Sequence, residues 1–330
     1  MRLVRAEWSR LFARRFTRTM ILLIVGVLIA LGLTVAAQSR PITAADHARA
    51  RAQLAEQLRF VDQAKAECEA ARSRGENVQQ KYPPDCNFEV QGLDEAAFLP
   101  YQFQFRRELP NFLFLAAGVL ALFGFVVGAS FIGAEWTSGG MTNLLLWRPR
   151  RLVVLGTKLV TMLTGVALVS ATYVAAFVGA LWLVGRYRGT TGTLTRGFWE
   201  SIGLTGGRIV ALTVVAAAAG FAIASLGRHT AMALGVGIGY ALVIEIGSLI
   251  VFGSLALRDP QRWRLSTYVF AWLAKRYELP VFDGPTCGPS GCAELKPYVV
   301  TWGMSAGVLG AVLVVLLVLA FVSMRRRDVT

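Results

Sequence analysis

Charge is scarce in this chain of 330 residues: 16% are Asp, Glu, Lys or Arg, against about 25% in an ordinary soluble domain. Histidine occurs twice, at His47 and His229, and cysteine four times. There is no H-E-x-x-H, no paired His/Cys metal spacing, no G-x-S-x-G and no Rossmann fingerprint, which leaves no motif for zinc-protease, serine-hydrolase or dinucleotide chemistry. The phosphate loop G-x-x-x-x-G-K-[ST] is also absent, so ATP is not bound by that route. No internal repeat is visible, which argues against an inverted-repeat transporter. The basic stretches lack the interleaved aromatics of a nucleic-acid groove, and no nucleic-acid partner is expected.

What the chain has instead is apolar length. Six windows run almost free of charge: Met20–Ala37, Leu109–Ala134, Leu159–Gly185, Ile209–Gly227, Thr230–Leu257 and Pro297–Met324, and Glu245 interrupts only the fifth. Each reaches or approaches the roughly 20 residues that cross a hydrocarbon layer of about 30 Å. The expectation is an all-α integral membrane protein with six transmembrane helices, at about 20–37, 112–134, 159–184, 209–227, 231–252 and 299–323. An N-terminal interfacial helix (1–19) and two long extracytoplasmic loops (38–111 and 253–298) complete the layout. An apolar stretch of 18 residues after the basic N-terminus exceeds the roughly 7–15 of a signal peptide and reads as an uncleaved anchor.

Orientation follows the basic residues. Residues 1–19 carry six Arg, the 133–158 loop carries Arg148, Arg150, Arg151 and Lys158, the 227–230 turn has Arg228, and the end has Arg325, Arg326 and Arg327. Only Glu7, Glu135 and Asp328 oppose these fourteen cations, whereas 38–111 balances ten basic against eleven acidic residues. Excess Lys and Arg stay on the cytoplasmic side, so both termini are expected in the cytoplasm of a cell-membrane protein. The cysteines agree. Cys68 and Cys86 fall in one outer loop and Cys287 and Cys292 in the other, as two local pairs suited to disulfides in an oxidising compartment.

Within this layout, Leu3/Val4, Trp8, Leu11/Phe12 and Phe16 recur at helical spacing with Arg5, Arg10, Arg14 and Arg18 off the stripe. Such a basic amphipathic helix belongs in the inner interface, its aromatics among the acyl chains. Residues 44–74 read as a long helix with a narrow stripe at Leu54, Leu58, Val61 and Cys68, ended before Pro83-Pro84. In 253–298 the crowding of Trp263, Tyr268, Phe270, Trp272 and Tyr277 fits an interfacial or re-entrant helix. Gly124/Gly128, Gly235/Gly239 and Gly303/Gly307 stand four apart in the spans, where small residues permit close helix contact. Glu245 is the single ionisable residue well inside a span. It is either a functional group of a transport cavity or a hydrogen-bonded structural carboxylate.

The inner loop 133–158 carries the most information. A span ends at Gly133, Glu135 follows, Gly139-Gly140 breaks the chain, Met141–Trp147 forms a short apolar helix, and Arg148-Pro-Arg-Arg leads to Gly156 and Lys158. This pattern, at Glu135, Gly139, Leu144, Pro149, Arg151, Gly156 and Lys158, resembles the coupling loop of the type 2 ABC transporter permeases. The six spans, the N-terminal interfacial helix, the aromatic outer segment before span six and the ending Arg325-Arg-Arg-Asp328 resemble that family as well. The resemblance implies a permease subunit of an ATP-driven exporter, itself no enzyme and binding no cofactor, with ATP and Mg held by a separate cytoplasmic ATPase. It implies a second permease copy or a homologue as partner within the lipid bilayer. It also implies ATPase coupling through Glu135, Gly139, Leu144, Leu145, Trp147, Arg151 and Lys158. Two other classes stay open: an ion-coupled transporter centred on Glu245, and a membrane scaffold or sensor that transports nothing.

Overall fold

The computed structural model describes residues 2–75, 83, 85–88, 93–147, 150–248, 260–279, 286–288, 291–293 and 297–326; at 2–5, 145, 147, 260, 286–288 and 291–293 it describes the backbone alone. Helices dominate. They are α1 (Arg2–Ala13), α2 (Arg15–Gln38), α3 (Ala44–Ser73), α4 (Phe105–Thr137), α5 (Gly140–Trp147), α6 (Arg151–Tyr187), α7 (Arg196–Gly227), α8 (Thr230–Tyr240), α9 (Leu265–Ala274) and α10 (Trp302–Arg326). Among the described residues four three-residue strands form two antiparallel pairs: β1 (Arg276–Glu278) with β4 (Val299–Thr301), and β2 (Thr286–Gly288) with β3 (Gly291–Ala293).

Among the described residues five helices, α2, α4, α6, α7 and α10, are long and apolar enough to cross a membrane. The expected fifth span differs. Its described part is α8 followed by a π-helical turn at Ala241–Ile246, and the rest of 231–252 lies outside the described residues beyond Ser248. The chain divides into two compact units, one of residues 1–30, 109–179 and 193–330, the other of 31–108 and 180–192.

In the first unit, α4, α6 and α7 form the interior. About half of their apolar windows is buried, against 11% for α2 and α10. Leu22 and Val314 keep more than half their surface exposed, as lipid-facing side chains do. Glycine sets the central contact. A Cβ at Gly128 would lie 2.1 Å from the Ala217 carbonyl, and one at Gly220 would lie 2.2 Å from that of Phe125. The backbones of α4 and α7 therefore touch, as small-residue interfaces allow. Gly235, Gly239, Gly303 and Gly307 have open space where a Cβ would sit, so of the three spaced pairs only Gly124/Gly128 is a packed seam in this chain. On α1 the apolar stripe turns inward: Leu11 is fully buried, and a Cβ on Gly165 of α6 would meet its side chain at 2.4 Å. Protein, and not acyl chain, covers that part of the stripe. The Leu3 and Val4 side chains lie outside the described residues.

The second unit is held by polar knots at chain reversals. The buried Ser39 hydroxyl donates to the Arg188 carbonyl at 2.8 Å and accepts the Phe103 amide at 3.0 Å. Thr43 and Asp46 cap α3 reciprocally, the arrangement that satisfies orphan amides at a helix start. Those bonds from Thr43 hold the Asp46 carboxyl below its ordinary range, so the cap is present at neutral pH and lost as pH falls through that lowered value. His47 and Arg51 of α3 both bind Glu95, at 2.7 and 3.0 Å, fixing the 3₁₀ turn Glu95–Phe98.

Cys68 and Cys86 are joined in a disulfide, with Cα atoms 5.8 Å apart and a sequence separation of 18. Non-reducing mass spectrometry is expected to recover the linked Cys68 and Cys86 peptides. Reduction is expected to cost about 3 kcal/mol, the chain-entropy value for a loop of this size. Membrane-impermeant maleimide reacting with either residue without reductant would show the bond to be unmade. The backbone also sets Cys287 directly opposite Cys292 in the β2–β3 register; their side chains, like Pro84 of the Pro83-Pro84 pair, lie outside the described residues.

Candidate functional site: a buried charge cluster beside a short helix

The inner loop begins where α4 runs out. Gly139 adopts φ +70°, a left-handed conformation that glycine takes without steric cost, and its amide bonds the Trp136 carbonyl at 3.2 Å. That turn reverses the chain into α5 at Gly140. Met141 is fully buried, Leu144 is half-buried and Leu146 is 77% exposed. An eight-residue helix with Thr142 and Asn143 as its two polar residues thus keeps a large aliphatic side chain in the open. The side chains of Leu145 and Trp147, together with Arg148 and Pro149, lie outside the described residues. Arg151 opens α6 and is half-buried, and Gly156 meets nothing within 4 Å.

Glu135 and Lys158, 23 positions apart, come together with two residues of the N-terminal segment. Lys158 Nζ lies 2.8 Å from Glu7 Oε2 and 2.6 Å from Glu135 Oε2. Arg14 donates from Nη2 to Glu135 Oε1 at 2.8 Å and from Nη1 to the Phe131 carbonyl at 2.8 Å, while Arg10 reaches Glu7 Oε1 at 3.2 Å. The result is an alternating row, Arg10–Glu7–Lys158–Glu135–Arg14, that ties α1, α4 and α6 together. Its centre is dry: the side chains of Lys158 and Glu7 are each 1% exposed. The Arg14 guanidinium also lies over the Phe131 ring, 4.9 Å from its centroid, a favourable cation–π distance. Ions this deep are costly unless mutually paired and hydrogen-bonded, and each carboxylate here meets two cations.

An open cleft of about 600 Å³ adjoins the row, lined by Arg10, Ala13, Arg14, Glu135, Gly140, Asn143 and Leu144. It combines two guanidinium groups with the apolar edge of α5. Sequence reasoning placed Glu135, Lys158 and the Met141–Trp147 helix at this site but not Glu7, Arg10 or Arg14. Glu7 carried a signal: it is the single acid among six Arg in residues 1–19.

Glu245 lies elsewhere in the same unit, in the π-helical turn. It accepts hydrogen bonds from the Tyr240 hydroxyl at 2.7 Å, the Ser266 amide at 3.1 Å and the Ser266 hydroxyl at 2.6 Å. Arg264, which precedes α9, supplies no side-chain cap; its Nε binds Ser248 at 2.8 Å instead. Glu245 therefore caps α9 from another helix, placing a carboxylate at the positive end of the helix dipole. Glu245→Gln keeps one acceptor oxygen and is expected to fold with a stability loss of about 1–3 kcal/mol, as for a weakened, partly buried hydrogen-bond set. Thermal unfolding in detergent, compared with Ser266→Ala and the double variant, measures it. Additive losses would show that the two residues do not act together.

Helices of this length and apolarity make the chain a multi-pass membrane protein. Over residues 11–329 it matches the family described as ABC-2 family transporter protein, and it belongs to that family. It is thus the membrane transport component, a permease, of an ABC transporter system. No curated protein matches it.

Proposed function

We propose that the chain is the permease subunit of an ATP-driven exporter, with both termini and the α4–α6 loop in the cytoplasm. A separate ATPase subunit, which holds the ATP and Mg, docks on α5 and the cleft beside it. The single observation that carries the docking assignment is the open cleft between α1 and α5, with Arg10 and Arg14 on one side and Leu144 on the other, next to the 77% exposed Leu146. Arg10 and Arg14 at the cleft add charge for an acidic edge of the partner. Leu144, Leu145 and Trp147 belong to that contact; Gly139 sets the helix angle and Arg151 opens α6 behind it. Lys158 is too deep to touch a docked subunit, and its part in coupling is to pass movement to α1, α4 and α6 through Glu7 and through Glu135, which lines the cleft itself.

Two such permeases, identical or homologous, enclose the substrate pathway in the bilayer. The disulfide of Cys68 and Cys86 favours an oxidising outer compartment for that loop, and the cross-strand placement of Cys287 and Cys292 favours a second bond there. Co-purification tests the whole reading. Expressed with a genomically adjacent protein that carries G-x-x-x-x-G-K-[ST], the chain should retain it through detergent extraction and raise its ATP hydrolysis. A permease that recruits no such subunit, yet transports in response to a pH gradient, would return the assignment to an ion-coupled carrier.

A further inference from the structure

Arg208 stands in α7, 19 residues before the helix ends at Gly227, a distance of about 28 Å along the axis. That length matches the hydrocarbon thickness of about 30 Å, so with Gly227 at one face of the membrane Arg208 lies at the other, where lipid phosphates sit. The residue is only partly exposed, and its Nη1 is buried within the protein without a hydrogen-bond partner. Among the described residues none forms an ion pair with it. Three turns earlier the exposed Arg196 is paired with Glu200 at 2.9 Å, so the same helix supplies a carboxylate where water already screens the charge and none where it does not.

The surroundings are built and not loose. The Trp272 indole N–H of α9 donates to the Arg208 carbonyl at 3.0 Å, and the Trp272 ring lies 6.5 Å from that of Trp302 at the start of α10. The Trp302 amide in turn bonds the Lys275 carbonyl at 3.0 Å. Two tryptophans at one level are the mark of the headgroup zone. A cation there that no carboxylate neutralises has an obvious complement: arginine is suited to charge-assisted hydrogen bonds with phosphate oxygens.

We propose that Arg208 binds a phosphate group at the headgroup level, beside Trp272 and Trp302. The phosphate is carried either by an anionic phospholipid or by a soluble phosphorylated molecule, and the same titration separates the two. Full-length protein is delipidated in detergent, and its thermal midpoint is followed against phosphatidylglycerol, diacylglycerol with the same acyl chains, and inorganic phosphate. The midpoint is expected to rise with phosphatidylglycerol and not with diacylglycerol. Arg208→Gln is expected to weaken that response on the order of tenfold or more, and Arg208→Lys to retain most of it. A rise with inorganic phosphate that blocks the phosphatidylglycerol response assigns a soluble source instead. Equal rises with phosphatidylglycerol and diacylglycerol, or no rise with any ligand, would overturn the proposal in the wild-type protein alone, whether or not the glutamine variant folds. An Arg208→Gln response equal to wild type would overturn it as well.

Discussion

Replacing Lys158 with methionine is expected to cost at least 3–5 kcal/mol, the usual result of removing one partner from a buried ion pair. The shape of the side chain is nearly kept, so the loss is electrostatic. Lys158 donates to Glu7 at 2.8 Å and to Glu135 at 2.6 Å from a site only 1% exposed. Without it, Glu7 keeps only Arg10, whose side chain is 56% exposed and shares its charge with water. Glu135 keeps Arg14. Two carboxylates then stand close together in a dry site with half their compensation gone. Against a total stability of roughly 5–15 kcal/mol, that loss should show as poor accumulation in the membrane and early melting in detergent. Adding Glu7→Gln should recover part of it, because the remaining Glu135–Arg14 pair is balanced. Melting followed by fluorescence-detected size exclusion ranks the three proteins: wild type, double variant, single variant. A Lys158→Met protein as stable as wild type would mean that water reaches the cluster and that no buried ionic tie joins α1 to α4 and α6.

The apolar windows located the long helices and fell short of their ends. The expected 112–134 and 159–184 are the middles of Phe105–Thr137 and Arg151–Tyr187. Hydropathy reports only the length that meets hydrocarbon, and α4 and α6 run on through charged turns such as Arg106-Arg107-Glu108. Gly139 was legible, because a left-handed turn needs glycine and the Gly139-Gly140 pair punctuates an apolar run. The helix expected within 253–298 is present as α9, but β1 and β4 were not expected; their pairing sets Tyr277 against Val300, a partner 23 positions away with no local sign. The charge cluster failed for the same reason on a larger scale. Glu7 and Lys158 are 151 positions apart, and only the packing of α1 on α6, seeded by Leu11 against Gly165, brings them together. Glu245 was singled out as the lone acid of an apolar run. Its Ser266 partner was not, since capping between helices leaves no spacing to read.

Placing aspartate at both Leu144 and Leu146 is expected to abolish ATPase recruitment while leaving the permease folded. Leu146 is 77% exposed, so a charge there disturbs no packing; exposed substitutions usually stay within about 0.5 kcal/mol of wild type. Leu144 lines the cleft with Asn143 and Arg14, and a carboxylate at that edge remains hydrated and near a cation. Against a docked subunit the same two charges would be desolvated inside an apolar contact. Truncating a contact at the centre of an interface typically costs 2 kcal/mol or more, and two buried, unpaired carboxylates add to that. At about 1.4 kcal/mol per tenfold, the combined loss exceeds a hundredfold in affinity. Pull-down of the ATPase and its permease-stimulated hydrolysis should therefore both vanish, with the melting temperature of the isolated permease within a few degrees of wild type. Arg10→Ala serves as the graded control: it removes a rim charge that is more than half exposed, and it should weaken recruitment mainly at low salt. If the doubly substituted permease still binds the ATPase and transports, α5 is not the docking helix, and its leucines face lipid headgroups as an interfacial anchor instead.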